Sequence, residues 1–302
     1  MSQRSITIRF YLAQKAPATP PFAWPSDQLR ALLRARLPAA GADGRAVSIN
    51  GETFLVEQAT GSSHVVHAMV SVDMDQVPSV RVGSHTDVLT LTANQVPAMT
   101  THMLFFPCGV VGVIRPTLTA AMPHVSSNAI TRTTGVPLGI SALVREDQLT
   151  VLNQALGVST FEITVTDIAP DLADVDGTYA AARALQGTHL EGTIRLVARS
   201  NADKRRLLQR AREALENVRS GRLELKHARV TASGGPGVRP RVIDLLEDEI
   251  VERVTVQLTQ VGPLATLTAA QVFDAATTAY NGLDTVLGAA LASTPSEFAQ
   301  DR

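Results

Sequence analysis

The chain has 302 residues and a formal charge of −1, with 27 Lys and Arg against 28 Asp and Glu. Its 45% apolar and 18% charged residues exclude a disordered polyelectrolyte and allow one large or two ordinary domains. A single cysteine, Cys108, excludes an intrachain disulfide and fits a reducing compartment. The mixed run Met1–Phe10 is unlike a signal peptide, and no apolar run nears the roughly 20 residues of a membrane span. A cytoplasmic protein is expected.

Ile6, Ile8 and Phe10 alternate with Thr7, Arg9 and Tyr11, the period of a half-buried strand. Pro17, Pro20, Pro21 and Pro25 force an extended connector. Ser26 then stands as the cap of a helix with Leu29, Leu32, Leu33 and Leu37 on one face. Asn50-Gly51, between Val47–Ile49 and Phe54–Val56, is the strongest short hairpin signal, because both residues accept positive φ. Val65–Val72 reads as a strand, and Met103–Phe106 with Val110–Ile114 as a hairpin around Pro107-Cys108-Gly109. Thr117–Thr134 is ambiguous, helical in part and interrupted by Pro123. Leu138–Leu143 predicts a strand and Glu146–Leu156 a short helix. Phe161, Ile163 and Val165 alternate with Glu162, Thr164 and Thr166 in a half-exposed strand.

The texture changes across Val158–Pro170. An Ala-rich run, Tyr179–Leu185, and a strand over Leu190–Val197, with Ile194 and Leu196 on one face, follow. Asn201 is placed to cap a helix reaching about Val218, with Leu207, Leu208, Ala211, Leu215 and Val218 as its apolar stripe. Leu223, Leu225, Ala228 and Val230 mark a strand carrying Lys226 and Arg229. Ser233–Gly237 is a flexible turn without the lysine of a phosphate loop. Val238–Leu245 and Ile250–Leu258 read as strands around Glu247-Asp248-Glu249. Thr268 caps a last helix through Leu291, and the tail from Ser293 reads as disordered. Recurrent hairpins without regular βαβ alternation predict an α+β fold of mainly antiparallel sheets with packed helices. Two domains are expected: a globular one from residues 1–157 and 250–302, and a basic inserted one from residues 158–249.

Chemistry-bearing residues are scattered. His64 and His67, with Asp73 and Asp75 beyond them, suggest a metal cluster, but an odd spacing puts the two imidazoles on opposite faces of a strand. Cys108 has no base assigned to it by the sequence. Asp171, Asp174 and Asp176 precede a helical run, where acids complement the helix dipole. The one concentrated signal is charge. From Arg199 to Arg241 twelve basic residues meet four acids, a net +8, so the remainder of the chain carries −9. Such asymmetry points to nucleic acid, through Lys204, Arg205, Arg206, Arg210, Arg212, Arg219, Arg222, Lys226, Arg229, Arg239 and Arg241. The stretch has no aromatic residue, which favours backbone contact on a duplex over base stacking on a single strand.

Several motifs resemble the RexA family of phage superinfection-exclusion proteins. They are Val47-Ser48-Ile49-Asn50-Gly51-Glu52-Thr53-Phe54-Leu55, Met103-Leu104-Phe105-Phe106 leading to Val110-Val111-Gly112-Val113-Ile114-Arg115, and Leu190-Glu191-Gly192. The basic helix and the strand with Lys226 and Arg229 fall in matching places, and the resemblance spans Ser5 to about Leu258. The order of parts is also similar to that of the recombination-associated DNA-binding family RdgC. The resemblance implies a homodimer of a globular domain and a swivelling second domain that binds DNA without sequence preference. It also implies a sensor role in phage exclusion, with a RexB-like membrane effector as partner. No cofactor is expected. Two other readings are a Mg²⁺-dependent nuclease, using Asp171, Asp174, Asp176 or Glu247-Asp248-Glu249, and a scaffold docking a protein partner.

Overall fold

The computed structural model describes residues 3–15, 24–39, 46–59, 62–74, 79–82, 85–88, 97–117, 119–143, 152, 155–169, 172, 177–185, 192–233, 241–246, 249–261 and 264–293. The first part of the chain contributes β1 (Gln3–Lys15), α1 (Ser26–Arg36), β2 (Ala46–Ile49), β3 (Glu52–Ala59), β4 (Val66–Asp73), β5 (Ser79–Val82), β6 (His85–Val88), β7 (Ala98–Phe105), β8 (Val110–Ile114), α2 (Pro123–Thr134) and β9 (Leu138–Ala142). Next come β10 (Gly157–Ile168), α3 (Ala180–Leu185), β11 (Thr193–Val197), α4 (Asn201–Arg219), β12 (Leu223–Ser233) and β13 (Arg241–Asp244). The chain then returns as β14 (Val251–Gln257), β15 (Thr259–Val261), β16 (Leu264–Thr266), α5 (Ala269–Gly282) and α6 (Asp284–Ser293). The fold is α+β, with antiparallel sheets and packed helices.

Eight strands form the larger sheet, in the order β14-β1-β8-β7-β4-β3-β2, with β9 also on β1. β1 is long enough to hold three partners. β8 lies along one side, while the other side takes β14 against Gln3–Arg9 and β9 against Tyr11–Lys15. Helices cover both faces. Leu29 and Leu33 of α1, with Ala129 and Ile130 of α2, pack over Phe54, Val56, Met103 and Phe105. Val272 and Ala276 of α5, with Leu287 of α6, pack over Ile8, Phe10, Leu104 and Ile114.

The smaller sheet has the order β11-β10-β12-β13 and is built only from residues 157–244, between β9 and β14 in sequence. Its inward residues, Phe161, Ile163, Ala228 and Val230, meet Leu208, Ala211 and Leu215 of α4. The chain leaves the larger sheet at Leu143 and rejoins it at Ile250. Three backbone hydrogen bonds close that stem: Phe10 N to Ile250 O (3.0 Å), Leu143 N to Phe10 O (2.9 Å) and Ile250 N to Leu143 O (3.0 Å). One buried apolar cluster nevertheless runs from Val113 and Met103 of the larger sheet into Val158 and Phe161 of the smaller.

Local chemistry explains the boundaries. Asn50 (φ 52°) and Gly51 (φ 88°) make the turn between β2 and β3 as a type I′ turn requires. Pro123 does not interrupt a helix but starts one, since its missing N–H costs nothing in the first turn. Ser26 is already helical behind Pro25, and Ser200, not Asn201, caps α4. The last helix breaks at Leu283 into α5 and α6. The hairpins β5–β6 and β15–β16 carry no clear sequence signal. The helix expected within 146–156 lies outside the described residues except for residues 152, 155 and 156, as do the turn at 234–237 and the tail from 294. Among the described residues no helix is long and apolar enough to cross a membrane.

Candidate nucleic-acid interface and the cleft between the sheets

The basic helix is held by its cap and its buried stripe. Ser200 Oγ accepts from Asp203 N (3.1 Å) and donates to the Asp203 carboxylate (2.8 Å), which also accepts from Arg199 N (3.2 Å). These bonds, that from Ser200 foremost, hold the exposed Asp203 carboxyl below the usual range. Gly157 lets β10 run close beneath the helix: a Cβ there would sit 2.8 Å from Lys204 Cβ.

The eleven basic positions anticipated from the sequence do not share one surface. Arg205 and Arg206 are exposed on α4, and Lys204 is half-buried beside them. Arg210 is paired within the helix to Glu213 at 2.9 Å, and Arg212 donates to the Leu152 carbonyl at 3.2 Å, which ties the helix to the chain before β10. Arg219 faces Glu249 at the far end of α4. Arg222 is exposed in the turn after it. Lys226 sits at an irregularity in the β10–β12 register. Arg229 lies on the face of the smaller sheet opposite α4, since it pairs with Glu162 while Ala228 and Val230 point at the helix. Glu162 also meets Arg195 at 3.7 Å and His227 at 3.5 Å. Arg239 lies outside the described residues, and of Arg241 only the backbone is described, at the start of β13.

A second concentration of charge lies where the sheets meet. A cleft of about 560 Å³ is walled on one side by Thr7, Arg9, Tyr11, Val113, Arg115, Val251 and Arg253 of the larger sheet. The other side is Thr166, Glu224, Leu225 and Lys226 of the smaller sheet, with Leu246 and Glu249 alongside. At its base Arg115 donates to the Ala120 carbonyl through Nε (3.0 Å) and Nη2 (2.6 Å). It also meets Asp167 at 2.7 Å and Glu224 at 2.6 Å. Arg9 adds a contact to Glu224 at 3.0 Å. Two arginines of one sheet thus grip two carboxylates of the other.

Burial works against the charge on Arg9 and Arg115, but Glu224 and its acidic neighbours outweigh it, so both guanidinium groups titrate above their ordinary value. Burial pushes Asp167 up despite Arg115, and pushes Glu249 up to about 7, with Glu224 adding to the rise against Arg9 and Arg219. Burial also raises the Tyr11 phenol.

Sequence reading missed Arg9, Tyr11, Arg115, Asp167 and Glu224 as a group, because they come from four strands distant in the chain. The one available signal was Tyr11 and Ala13 on the polar side of β1, too apolar for a wholly wetted face. His67 does not join His64: its Nε2 lies 3.0 Å from His102 Nδ1, and both rings are buried beneath Phe273 and the helix α5. Burial lowers His67 to about 4 and His102 to about 3, the latter also through His67. Asp73 is exposed at the end of β4 and Asp75 lies outside the described residues, as do Asp171, Asp174, Asp176, Glu247 and Asp248. Among the described residues no group of three or more His, Cys, Asp or Glu is placed to hold a metal ion. Cys108 is exposed in the turn between β7 and β8, at φ 60°.

No protein-family model matches the chain, and no curated protein sequence matches it.

Proposed function

We propose that the protein binds nucleic acid through the phosphate backbone, without sequence preference, using the unit that carries α4 and β10–β13. The observation behind this reading is the sign of the exposed charge. Between residues 192 and 233 the exposed charged side chains are Arg195, Arg199, Arg205, Arg206, Arg222, Lys226 and Arg229, against the single acid Glu216. The acids there are otherwise drawn into structure: Asp203 caps α4, Glu213 pairs with Arg210, and Glu224 is buried between two arginines. Guanidinium groups on a packed helix and sheet suit phosphate contact, and the lack of aromatic platforms favours a duplex. Because α4 covers one face of the smaller sheet, Arg205 and Arg206 point away from Arg195 and Arg229, so one duplex engages one set or the other. On the resemblance to the exclusion family, the protein acts as a homodimeric sensor of phage exclusion, passing DNA occupancy to a RexB-like membrane partner.

The test is fluorescence anisotropy on a short duplex of random sequence at several salt concentrations. Three or four neutralised phosphates give a log–log salt slope of about −3. Arg205→Glu with Arg206→Glu flattens the slope if the helix side is used; Arg195→Glu with Arg229→Glu does so if the open sheet is used. Absence of binding at low salt, or binding indifferent to both pairs, refutes the reading.

A further inference from the structure

We infer that the cleft between the two sheets is a separate binding site for a small organic phosphate of nucleotide size, with the phosphate held between Lys226 and Arg253. The site goes beyond the DNA reading and shares only Lys226 with it. Its size is the first reason: about 560 Å³ lies within the range of small-ligand sites and far below what a duplex needs.

Its lining is the second. Val113, Leu225, Leu246 and Val251 supply apolar wall, while Thr7 supplies a hydroxyl that can donate to a phosphate oxygen; those of Thr166 and Thr117 already donate to the Glu224 carbonyl and the Met99 sulfur. Charge is the third. Among the described lining residues four cations, Arg9, Arg115, Lys226 and Arg253, face two carboxylates: Glu224, held by Arg9 and Arg115, and Glu249, 4.0 Å from Arg9 and favoured in its neutral form by burial. Lys226 and Arg253 are exposed at its edges, one on each sheet. Arg253 stands across from Thr7 in the β1–β14 pairing and has no ion pair among the described residues. An anion placed there lies beside a cation of each sheet and touches both sheets. Among the described residues the site offers no aromatic face on which a base would stack except the buried Tyr11, so recognition is of the phosphate and the bulk behind it.

Isothermal titration calorimetry of the full chain tests this, with an equimolar mixture of the four deoxynucleoside 5′-monophosphates as probe. Inorganic phosphate and a twelve-nucleotide single strand serve as parallel titrants. The monophosphates bind, and Arg253→Gln and Lys226→Gln each weaken them about tenfold or more, the loss of one charge-assisted contact. Arg253 is exposed, so its substitution leaves the fold intact. Arg205→Gln with Arg206→Gln, remote from the cleft, leaves monophosphate binding unchanged whatever it does to duplex binding. The inference is overturned if neither the monophosphates nor inorganic phosphate binds, or if Arg253→Gln binds as wild type. It is also overturned if only the single strand binds, which would make the cleft part of a nucleic-acid surface.

Discussion

Replacing Arg115 with Met removes the residue on which the junction of the two sheets converges. Its side chain is 7% exposed and contacts Asp167, Glu224 and the Ala120 carbonyl. Methionine fills most of the volume, so the loss is electrostatic. Glu224, itself 7% exposed, keeps Arg9 alone of its two arginines, and Asp167 loses its contact with Arg115. Breaking a buried pair from one side costs about 3–5 kcal/mol, because the stranded charge carries its desolvation penalty without compensation. Against a total stability of about 5–15 kcal/mol this is a large fraction. Urea unfolding at pH 7, followed by circular dichroism, reads it as a fall in the transition midpoint. Adding Glu224→Gln and Asp167→Asn to Arg115→Met restores part of the loss, since both carboxylates are then neutral, while Arg9 exchanges Glu224 for the longer contact to Glu249 at 4.0 Å. A loss under about 1 kcal/mol for Arg115→Met, or no recovery in the triple variant, refutes the assignment of the cost to stranded carboxylates.

Three further outcomes follow from the same physics. His67 and His102 titrate near 4 and 3 when folded but near 6.5 when unfolded, so the unfolded chain binds more protons as the pH falls. Their contribution is whole above pH 6.5 and is lost on acidification, roughly 2 kcal/mol per ring by pH 5, and His67→Leu with His102→Met flattens that acid limb in urea titrations. Glu249 has the opposite sign: with a folded value of about 7 against 4.5, stability falls as pH rises between them. Glu249→Gln therefore raises the midpoint at pH 8 and leaves it unchanged near pH 4, and equal effects at both would contradict the burial of the carboxyl. Gly221 has φ +69° and would place a Cβ 2.9 Å from Pro123 at the start of α2, so Gly221→Ala costs about 1–3 kcal/mol, measured as a drop in Tm.

Local signals in the sequence translated well where they act over a few residues. The Asn50-Gly51 turn, the alternation of β1 through Phe10, and the apolar stripe of α4 each depend on neighbours in the chain, whereas Tyr11 of β1 and Thr164 of β10, expected on the open faces, are buried. Capping was off by one at Ser200 because Ser and Asn both serve there, and only the Asp203 amide shows which is used. The ends of the last helix were readable while its break at Leu283 was not, since Ala-rich sequence continues across it. The basic stretch was visible as charge, but not its division between α4 and the open sheet, which depends on which side of β12 meets the helix. Least legible was the cleft. Arg9 reads as a solvent-facing residue of a half-buried strand until the smaller sheet, more than 200 residues later, brings Glu224 over it. Pairing across that span leaves no periodic trace.

The three-partner strand β1 has a consequence for synthesis. It is made before its neighbours β8, β9 and β14, which emerge only as residues 110–114, 138–142 and 251–257 are added. On the ribosome β8 and β9 can join β1 early, but its edge along Gln3–Arg9 waits for β14, and the face with Ile8 and Phe10 waits for α5 and α6, while the whole of β10–β13 is translated. That intervening unit closes on its own antiparallel contacts before the seam at Phe10, Leu143 and Ile250 can form. Completion of the larger sheet is thus paced by residues 251–257, and a nascent chain halted before residue 251 presents a bare edge along Gln3–Arg9 to any other strand within reach.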